Sequence, residues 1–226
     1  MDWWFKSDAG LLARLAIGAS IFAILALWDL KRKGPNATRW REYLFLVVAA
    51  VASMIYGLAH DFIAASISWE YFYYGKGISQ ALGPHVPPDW WRLHWEACKV
   101  GLKATWSAGL IIGVALLIAN NPRKDRRQLP YAWLLRSLIF IFMGAAAGSV
   151  LGAALGRHGL LTWTSTELRL LVRDDLFRPR ELMTAYGMNL GAYAGGIAAT
   201  MVTVCRILNQ RTSQPNRLIP SNAAVL

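Results

Sequence analysis

The chain has 226 residues, of which 55% are hydrophobic and 16% are charged, so it is too apolar for an ordinary soluble domain and too short for a large transporter. Its net charge is +11, but the basic residues lie in short clusters beside apolar stretches, and no motif that reads nucleic-acid bases is visible. The composition therefore predicts a single transmembrane domain over residues 1–226 and argues against a nucleic-acid partner.

Five apolar segments are long enough to cross a bilayer, whose hydrocarbon core of about 30 Å requires roughly 20 helical residues. They lie near residues 10–30, 43–67, 99–119, 131–155 and 182–207. The first segment runs into Asp29 and Lys31 without the small-residue cleavage site of a signal peptide, so we expect it to be retained as a membrane helix. The predicted fold is all-α, an integral membrane bundle of about five transmembrane helices.

Basic residues in the connections predict the orientation of this bundle, because they mark the cytoplasmic side. Clusters follow the first span (Lys31, Arg32, Lys33, Arg39, Arg41), the third span (Arg123, Lys124, Arg126, Arg127) and the fifth span (Arg206, Arg211, Arg217). The N-terminus is therefore predicted outside and the C-terminus in the cytoplasm, in a membrane of the bacterial inner-membrane type. Segments 68–98 and 156–181 then face outward.

Both outer segments have the composition of a membrane interface. Segment 68–98 is crowded with tryptophan and tyrosine around three prolines, which indicates a re-entrant or interfacial loop at headgroup depth. In segment 156–181, Thr164 and Glu167 fit a capping box, and leucines follow at helical spacing until Pro179. This pattern predicts a short amphipathic helix that lies in the interface.

Two spans carry glycine at every fourth position, which places the glycines on one face of each helix. They are Gly144, Gly148, Gly152 and Gly156 in the fourth span, and Gly187, Gly191 and Gly195 in the fifth span. Such faces let helix backbones approach closely in lipid, so we expect these spans to pack together, although the same faces could instead join two copies of the chain. The third span has a looser repeat in Gly101, Thr105, Gly109 and Gly113.

His60 and Asp61 are the sharpest functional signal. If the second helix continues to about Trp69, the pair lies roughly 12 Å below its outer end, within the apolar layer. Ionisable groups at that depth usually face the protein interior or a water-filled cavity, which makes them functional candidates. The alternatives are a structural hydrogen-bonded pair, with Tyr56 or a polar residue of the fifth span as partner, and simple exposure at the end of a shorter helix.

Imidazole and carboxylate groups are ligands of zinc, iron and copper. The predicted site for a divalent transition metal consists of His60, Asp61 and Glu70, with His85, His94 and His158 as further candidates, since all four histidines map to the outer half of the topology. Without a metal, the same groups could share a proton. We expect a carboxyl oxygen of Asp61 or Glu70 within about 5 Å of a His60 ring nitrogen.

Such a site requires the outer loop to fold back, because a straight helix would carry Glu70 about 15 Å farther along its axis. In the fifth span, Tyr186, Asn189 and Tyr193 form a polar stripe beside the glycine face. This stripe indicates either hydrogen bonds between helices or the lining of a buried polar pocket.

The string Tyr56-Gly57-Leu58-Ala59-His60-Asp61 is followed by Glu70-Tyr71-Phe72 and later by Ala104-Thr105-Trp106-Ser107-Ala108-Gly109. This order resembles a group of uncharacterised bacterial multipass membrane proteins, in which a Tyr-Gly-x-x-His-Asp helix leads to a Glu-Tyr-Phe element and then to a glycine-rich helix containing Thr-Trp. The resemblance implies that His60, Asp61 and Glu70 act as one unit, and it implies no activity. Lys76-Gly77 stands where a Gly-His pair is expected from that pattern.

Motifs of several familiar chemistries are missing from the sequence: the phosphate-binding loop, the His-Glu-x-x-His zinc pair, the Cys-x-x-Cys-His haem attachment and the Gly-x-Ser-x-Gly elbow. Two interpretations therefore remain, neither of which assigns catalysis. One is a small polytopic protein, surrounded by membrane lipids, with an outward-facing metal or proton site. The alternative is a non-enzymatic structural or accessory subunit of a membrane complex.

Overall fold

The computed structural model describes residues 7–34, 37–121, 128–161 and 177–212. Within these ranges the chain forms helices: α1 (Asp8–Lys33), α2 (Trp40–Ile67), a π-helical turn (Tyr71–Gly75), α3 (Ser79–Leu82), α4 (Trp90–Ala119), α5 (Tyr131–Arg157) and α6 (Pro179–Thr212). All except α3 and the π-helical turn are long and apolar enough to cross a membrane. The predicted all-α bundle of five membrane helices is confirmed, and the chain is a polytopic membrane protein.

The membrane helices extend beyond several of the predicted span boundaries, most of all at the start of α4. The third membrane helix, α4, begins at Trp90 rather than near residue 99, because the Asp89 side chain caps it by accepting a hydrogen bond of 2.9 Å from the Arg92 backbone amide. The polar residues of its first turns lower the local hydropathy, so the sequence pattern placed the start of the helix too late. The last helix begins at Pro179, a residue suited to a first helical position. The amphipathic helix predicted from Thr164 and Glu167 lies outside the described residues.

Helices α5 and α6 pack as an antiparallel pair along their glycines. A methyl group built on Gly148 would collide with the backbone of Gly191, and one on Gly152 would collide with Gly187. Gly144 meets Ala199 in the same way, and Gly156 meets the Met183 backbone. Because no large side chains separate them, the two helices approach closely along the second half of α5. This close approach adds dispersion contacts that lipid does not replace.

Helices α2 and α4 form a second pair by the same principle. Gly57 and Gly101 lie against each other, so that a methyl group on either would collide with the backbone of the other helix. Farther along, Gly109 contacts the Ala49 backbone and Gly113 contacts Leu46. The looser repeat of the third span thus packs on α2, and the partner glycine is Gly57.

The two helix pairs join at both ends of the bundle. At one end, a core that includes Ala64, Phe72, Leu93 and Leu182 connects α2, the π-helical turn, α4 and α6. At the other end, a second core that includes Phe45, Leu116, Leu134 and Ile207 connects α2, α4, α5 and α6. Helix α1 lies outside these cores, where Phe22 stacks on Tyr43 and Asp8 pairs with Lys99 and Lys103. Between the two cores the pairs separate, and this separation positions the site.

Candidate functional site

A cavity of about 380 Å³ lies between the two helix pairs at mid-height. Helices α2 and α4 form one wall, and α5 and α6 form the other. Most of the lining is apolar, but polar side chains gather in one region: His60, Asp61, Thr105, Asn189 and Tyr193. The volume falls within the range of small-molecule sites, and such sites combine an apolar lining with a few convergent polar groups.

His60 and Asp61 are neighbours in space as well as in sequence. The distance from His60 Nδ1 to Asp61 Oδ1 is 3.0 Å, and the two residues are 8% and 4% exposed. The expected short separation between a His60 ring nitrogen and a carboxyl oxygen is confirmed for Asp61. The pair lies inside the bundle, so the alternative of simple exposure at a helix end is wrong.

The second ring nitrogen of His60 decides what this pair can do. Among the described residues, Nε2 is buried and has no hydrogen-bond partner. An ionised carboxylate can only accept hydrogen bonds, so the contact with Asp61 assigns the ring proton to Nδ1. In the neutral ring, Nε2 is then a lone-pair acceptor that binds either a proton or a hydrogen-bond donor.

Close packing of α2 on α4 fixes the position of Asp61. A methyl group on Gly101 would lie 3.2 Å from Asp61 Cβ, and it would also collide with Gly57, one helical turn before Asp61. The carboxylate is therefore held at the crossing of the two helices. Tyr56 lies on the same face of α2, but its hydroxyl is 3.4 Å from Ser149 of α5 and its ring stacks on Phe142. Tyr56 thus extends across the cavity to the wall formed by α5.

Glu70 occupies a different place from the one predicted. Its two carboxylate oxygens accept hydrogen bonds from the backbone amides of Phe177, at 2.6 Å, and Arg178, at 3.0 Å. These two amides lie directly before the first residue of α6. Backbone N–H groups at the start of a helix have no acceptor within the helix, so Glu70 caps the N-terminus of α6. The loop does fold back, since Phe72 packs in the same core as Ala64 of α2. It brings Glu70 to α6, and the carboxylate bonds there instead of joining His60 and Asp61.

The other predicted ligands are also placed elsewhere. Both ring nitrogens of buried His94 are used, Nε2 with the Ser66 hydroxyl and Nδ1 with the Trp90 carbonyl, each at 2.8 Å. His85 and His158 are exposed and do not line the cavity. In the part of the chain that the structure describes, no group of three His, Cys, Asp or Glu side chains is arranged to hold a metal ion.

Lys76 is a residue of the site that sequence reasoning missed. Its ammonium group donates a 3.4 Å hydrogen bond to Asn189 Oδ1 on the cavity wall and lies 5.4 Å from the centre of the Tyr71 ring. Burial lowers the pKa of Lys76, and the negative charge of Asp61 opposes this shift. Lys76, from the loop after α2, therefore contacts a residue of the cavity wall, and Gly77 at φ 66° allows the chain to turn away after the lysine.

Comparison with known proteins found no matching family model, no similar curated protein and no similar solved structure. The arrangement contains a basic ring nitrogen, a carboxylate that stabilises the protonated ring, and an apolar cavity beside them. It can take up and release a proton, and it can orient a ligand that donates a hydrogen bond.

Proposed function

We propose that this membrane protein takes up and releases a proton at the His60–Asp61 pair, within the cavity between its two helix pairs. The observation that carries the proposal is the buried Nε2 of His60, which has no partner among the described residues, while Asp61 holds the opposite ring nitrogen. A proton added at Nε2 produces an imidazolium whose positive charge lies beside the Asp61 carboxylate. That attraction stabilises the charged ring in an environment that would otherwise disfavour it.

The donor set favours a proton over a metal ion. A structural zinc site uses four protein ligands and a catalytic site commonly three. The Glu70 oxygens are engaged by two backbone amides, and the His94 nitrogens by Ser66 and Trp90. Of the predicted ligands, the cavity therefore contains two available atoms, His60 Nε2 and the second oxygen of Asp61. Two ligand atoms are too few to define a metal centre.

The outward-facing position of the pair forms part of the proposal. His60 and Asp61 lie in the half of α2 away from the basic cluster at Lys31–Lys33. Basic clusters mark the cytoplasmic side, so we place the C-terminus in the cytoplasm and the site in the outer half of a bacterial inner membrane. Protons would then be exchanged with the outer compartment.

Nitrogen-15 spectra of the histidine rings, recorded in lipid nanodiscs, test the proposal. A His60→Gln variant assigns the His60 signals. We expect the Nδ1-protonated neutral ring at high pH and reversible conversion to the imidazolium as the pH falls. In an Asp61→Asn variant, which keeps the shape but removes the charge, the imidazolium should form less readily because the neighbouring carboxylate charge is gone. A His60 ring that keeps one protonation state throughout the pH range in which the protein stays folded would overturn the proposal.

Elemental analysis of the purified protein tests the competing metal site. We expect the same metal content per chain for the wild-type protein and for His60→Ala. A stoichiometric transition metal that is present in the wild-type protein and lost in His60→Ala would show that the pair is a metal site. If neither test reveals a role for His60, the accessory-subunit interpretation takes its place.

A further inference from the structure

The cavity opens sideways, toward the lipid. Three of its lining residues are large, apolar and exposed: Ile111 of α4 at 70%, Ile197 of α6 at 63% and Met201 of α6 at 64%. They lie in the middle portions of membrane helices, so the surroundings to which they are exposed are the hydrocarbon of the bilayer. A molecule dissolved in the membrane can therefore enter between α4 and α6 without crossing water.

The polar region of the cavity selects the kind of group that can bind there. The Thr105 hydroxyl donates to the Gly101 carbonyl, and Asn189 donates to the Ala185 carbonyl while accepting from Lys76. His60 Nε2 differs from these groups, because it is a buried acceptor with no donor among the described residues. A buried acceptor without a partner costs free energy, and a ligand that donates a hydrogen bond removes that cost.

From these two features we infer that the cavity binds a bilayer-borne lipid whose hydroxyl group donates a hydrogen bond to His60 Nε2 and whose hydrocarbon chain leaves between α4 and α6. The inference rests on the proposed function, since it uses the same nitrogen in its neutral state. A volume of about 380 Å³ corresponds to roughly a dozen water volumes. That space holds the hydroxyl-bearing head and the first part of a chain, so the remainder of a long tail must extend into the bilayer.

Two sources of such a hydroxyl exist in membranes: an aliphatic or isoprenoid alcohol and a hydroquinone carrying an apolar tail. Their shared chemistry is an O–H donor on a hydrocarbon chain. A charged headgroup fits the site less well, because an anion would meet Asp61 and a cation would meet Lys76 near Asn189. A neutral hydroxyl avoids both repulsions.

Titration of the wild-type protein in nanodiscs with matched probes tests the inference, with the His60 Nε2 signal as readout at a pH where the ring is neutral. The probes are 1-decanol, decyl methyl ether, which has the same chain without the donor, and a decyl-substituted hydroquinone. We expect saturable shifts with the alcohol or the hydroquinone, and binding of the ether weaker by about tenfold or more. Whichever hydroxyl compound binds more tightly identifies the source.

An Ala108→Phe variant serves as the protein control, because Ala108 lines the cavity and a phenyl group there fills it without replacing His60 or Asp61. We expect the variant to lose the decanol shift. Equal binding of alcohol and ether, or an unsaturable response to every probe, would overturn the inference. The pH titration without probes is an independent test of the proposed function. If the His60 ring titrates but no alcohol binds, the proton site is retained and the lipid ligand is refuted.

Discussion

The Glu70 carboxylate accepts a 3.0 Å hydrogen bond from the backbone amide of Arg178, a residue 108 positions farther along the chain. The second carboxylate oxygen binds the amide of Phe177. Negative charge is favourable at a helix N-terminus, where unpaired N–H groups and the helix dipole attract it. Glu70 is 1% exposed, so water does not substitute for this contact. One buried side chain therefore ties the loop after α2 to the start of α6.

Replacing Glu70 with alanine should destabilise the protein. The substitution leaves two backbone amides without their charged acceptor, and hydrogen bonds to charged groups are worth about 1.5–3 kcal/mol each. Unfolding in detergent micelles with increasing denaturant measures the loss, which should be smaller for Glu70→Gln because an acceptor oxygen remains. Glu96→Ala is the control, since the Glu96 side chain pairs with Lys99 near the surface and should cost about 1 kcal/mol or less. Equal stability of the two alanine variants would refute the capping role.

Substitution at the glycine interface should show where the helices touch. A Gly148→Leu or Gly191→Leu variant places a side chain on the partner backbone, and overpacking of this kind costs about 1–3 kcal/mol or more. Gly18→Leu in α1 is the matched control, because a Cβ there meets no atom within 4 Å. We expect lower melting temperatures in detergent for the first two variants only. Unchanged melting of both would mean that these faces meet lipid rather than protein.

The helix pairing was partly visible in the sequence. Two continuous glycine rows predicted contact between α5 and α6, because a four-residue spacing keeps small residues on one helix face. The partner of α4 was not predicted. Ala49, Ser53 and Gly57 carry the same spacing in α2, and the structure places all three against α4, but small residues are common in membrane helices and do not by themselves specify which helix they meet.

The candidate site was also predicted only in part. His60 and Asp61 could be singled out because ionisable groups are rare within an apolar span. Glu70 was assigned to the wrong partners, since it bonds to backbone amides, and every residue except proline has such an amide. A buried pocket was one of two interpretations of the polar stripe, and Asn189 and Tyr193 line the cavity, but the position and size of the cavity could not be predicted. They depend on where two helix pairs separate between their cores, which no local pattern encodes.

Reporter fusions test the orientation. The basic residues after α1 and at the end of α6 predict that a reporter fused after Asn209 is cytoplasmic and that one inserted near Gly83 is outside. Gly83 lies in the loop after α3 and Asn209 near the end of α6. Alkaline phosphatase, active outside, and green fluorescent protein, fluorescent inside, provide opposite readouts at each position. Both positions on the same side would contradict the topology and the outward-facing site.

Lys76 should give the protein a pH-dependent stability. Burial lowers the pKa of Lys76 in the folded state below its ordinary value near 10.5. Between the lowered value and 10.5, the unfolded chain binds the proton that the folded chain has released. The free energy of unfolding therefore rises with pH across that window. Below the window both states are protonated, and the penalty for burying the ammonium group is present in full.

A Lys76→Met variant removes this titrating group, so its stability should rise less than that of the wild-type protein as the pH is raised from about 7 toward the ordinary lysine value. Denaturant unfolding at a series of pH values measures the difference between the two proteins, which cancels the titration of other groups. Lys31→Met provides the control, since Lys31 is exposed and its loss should leave the wild-type slope unchanged. Parallel stability curves for the wild-type protein and Lys76→Met would show that the Lys76 ammonium group is not buried against the cavity wall at Asn189.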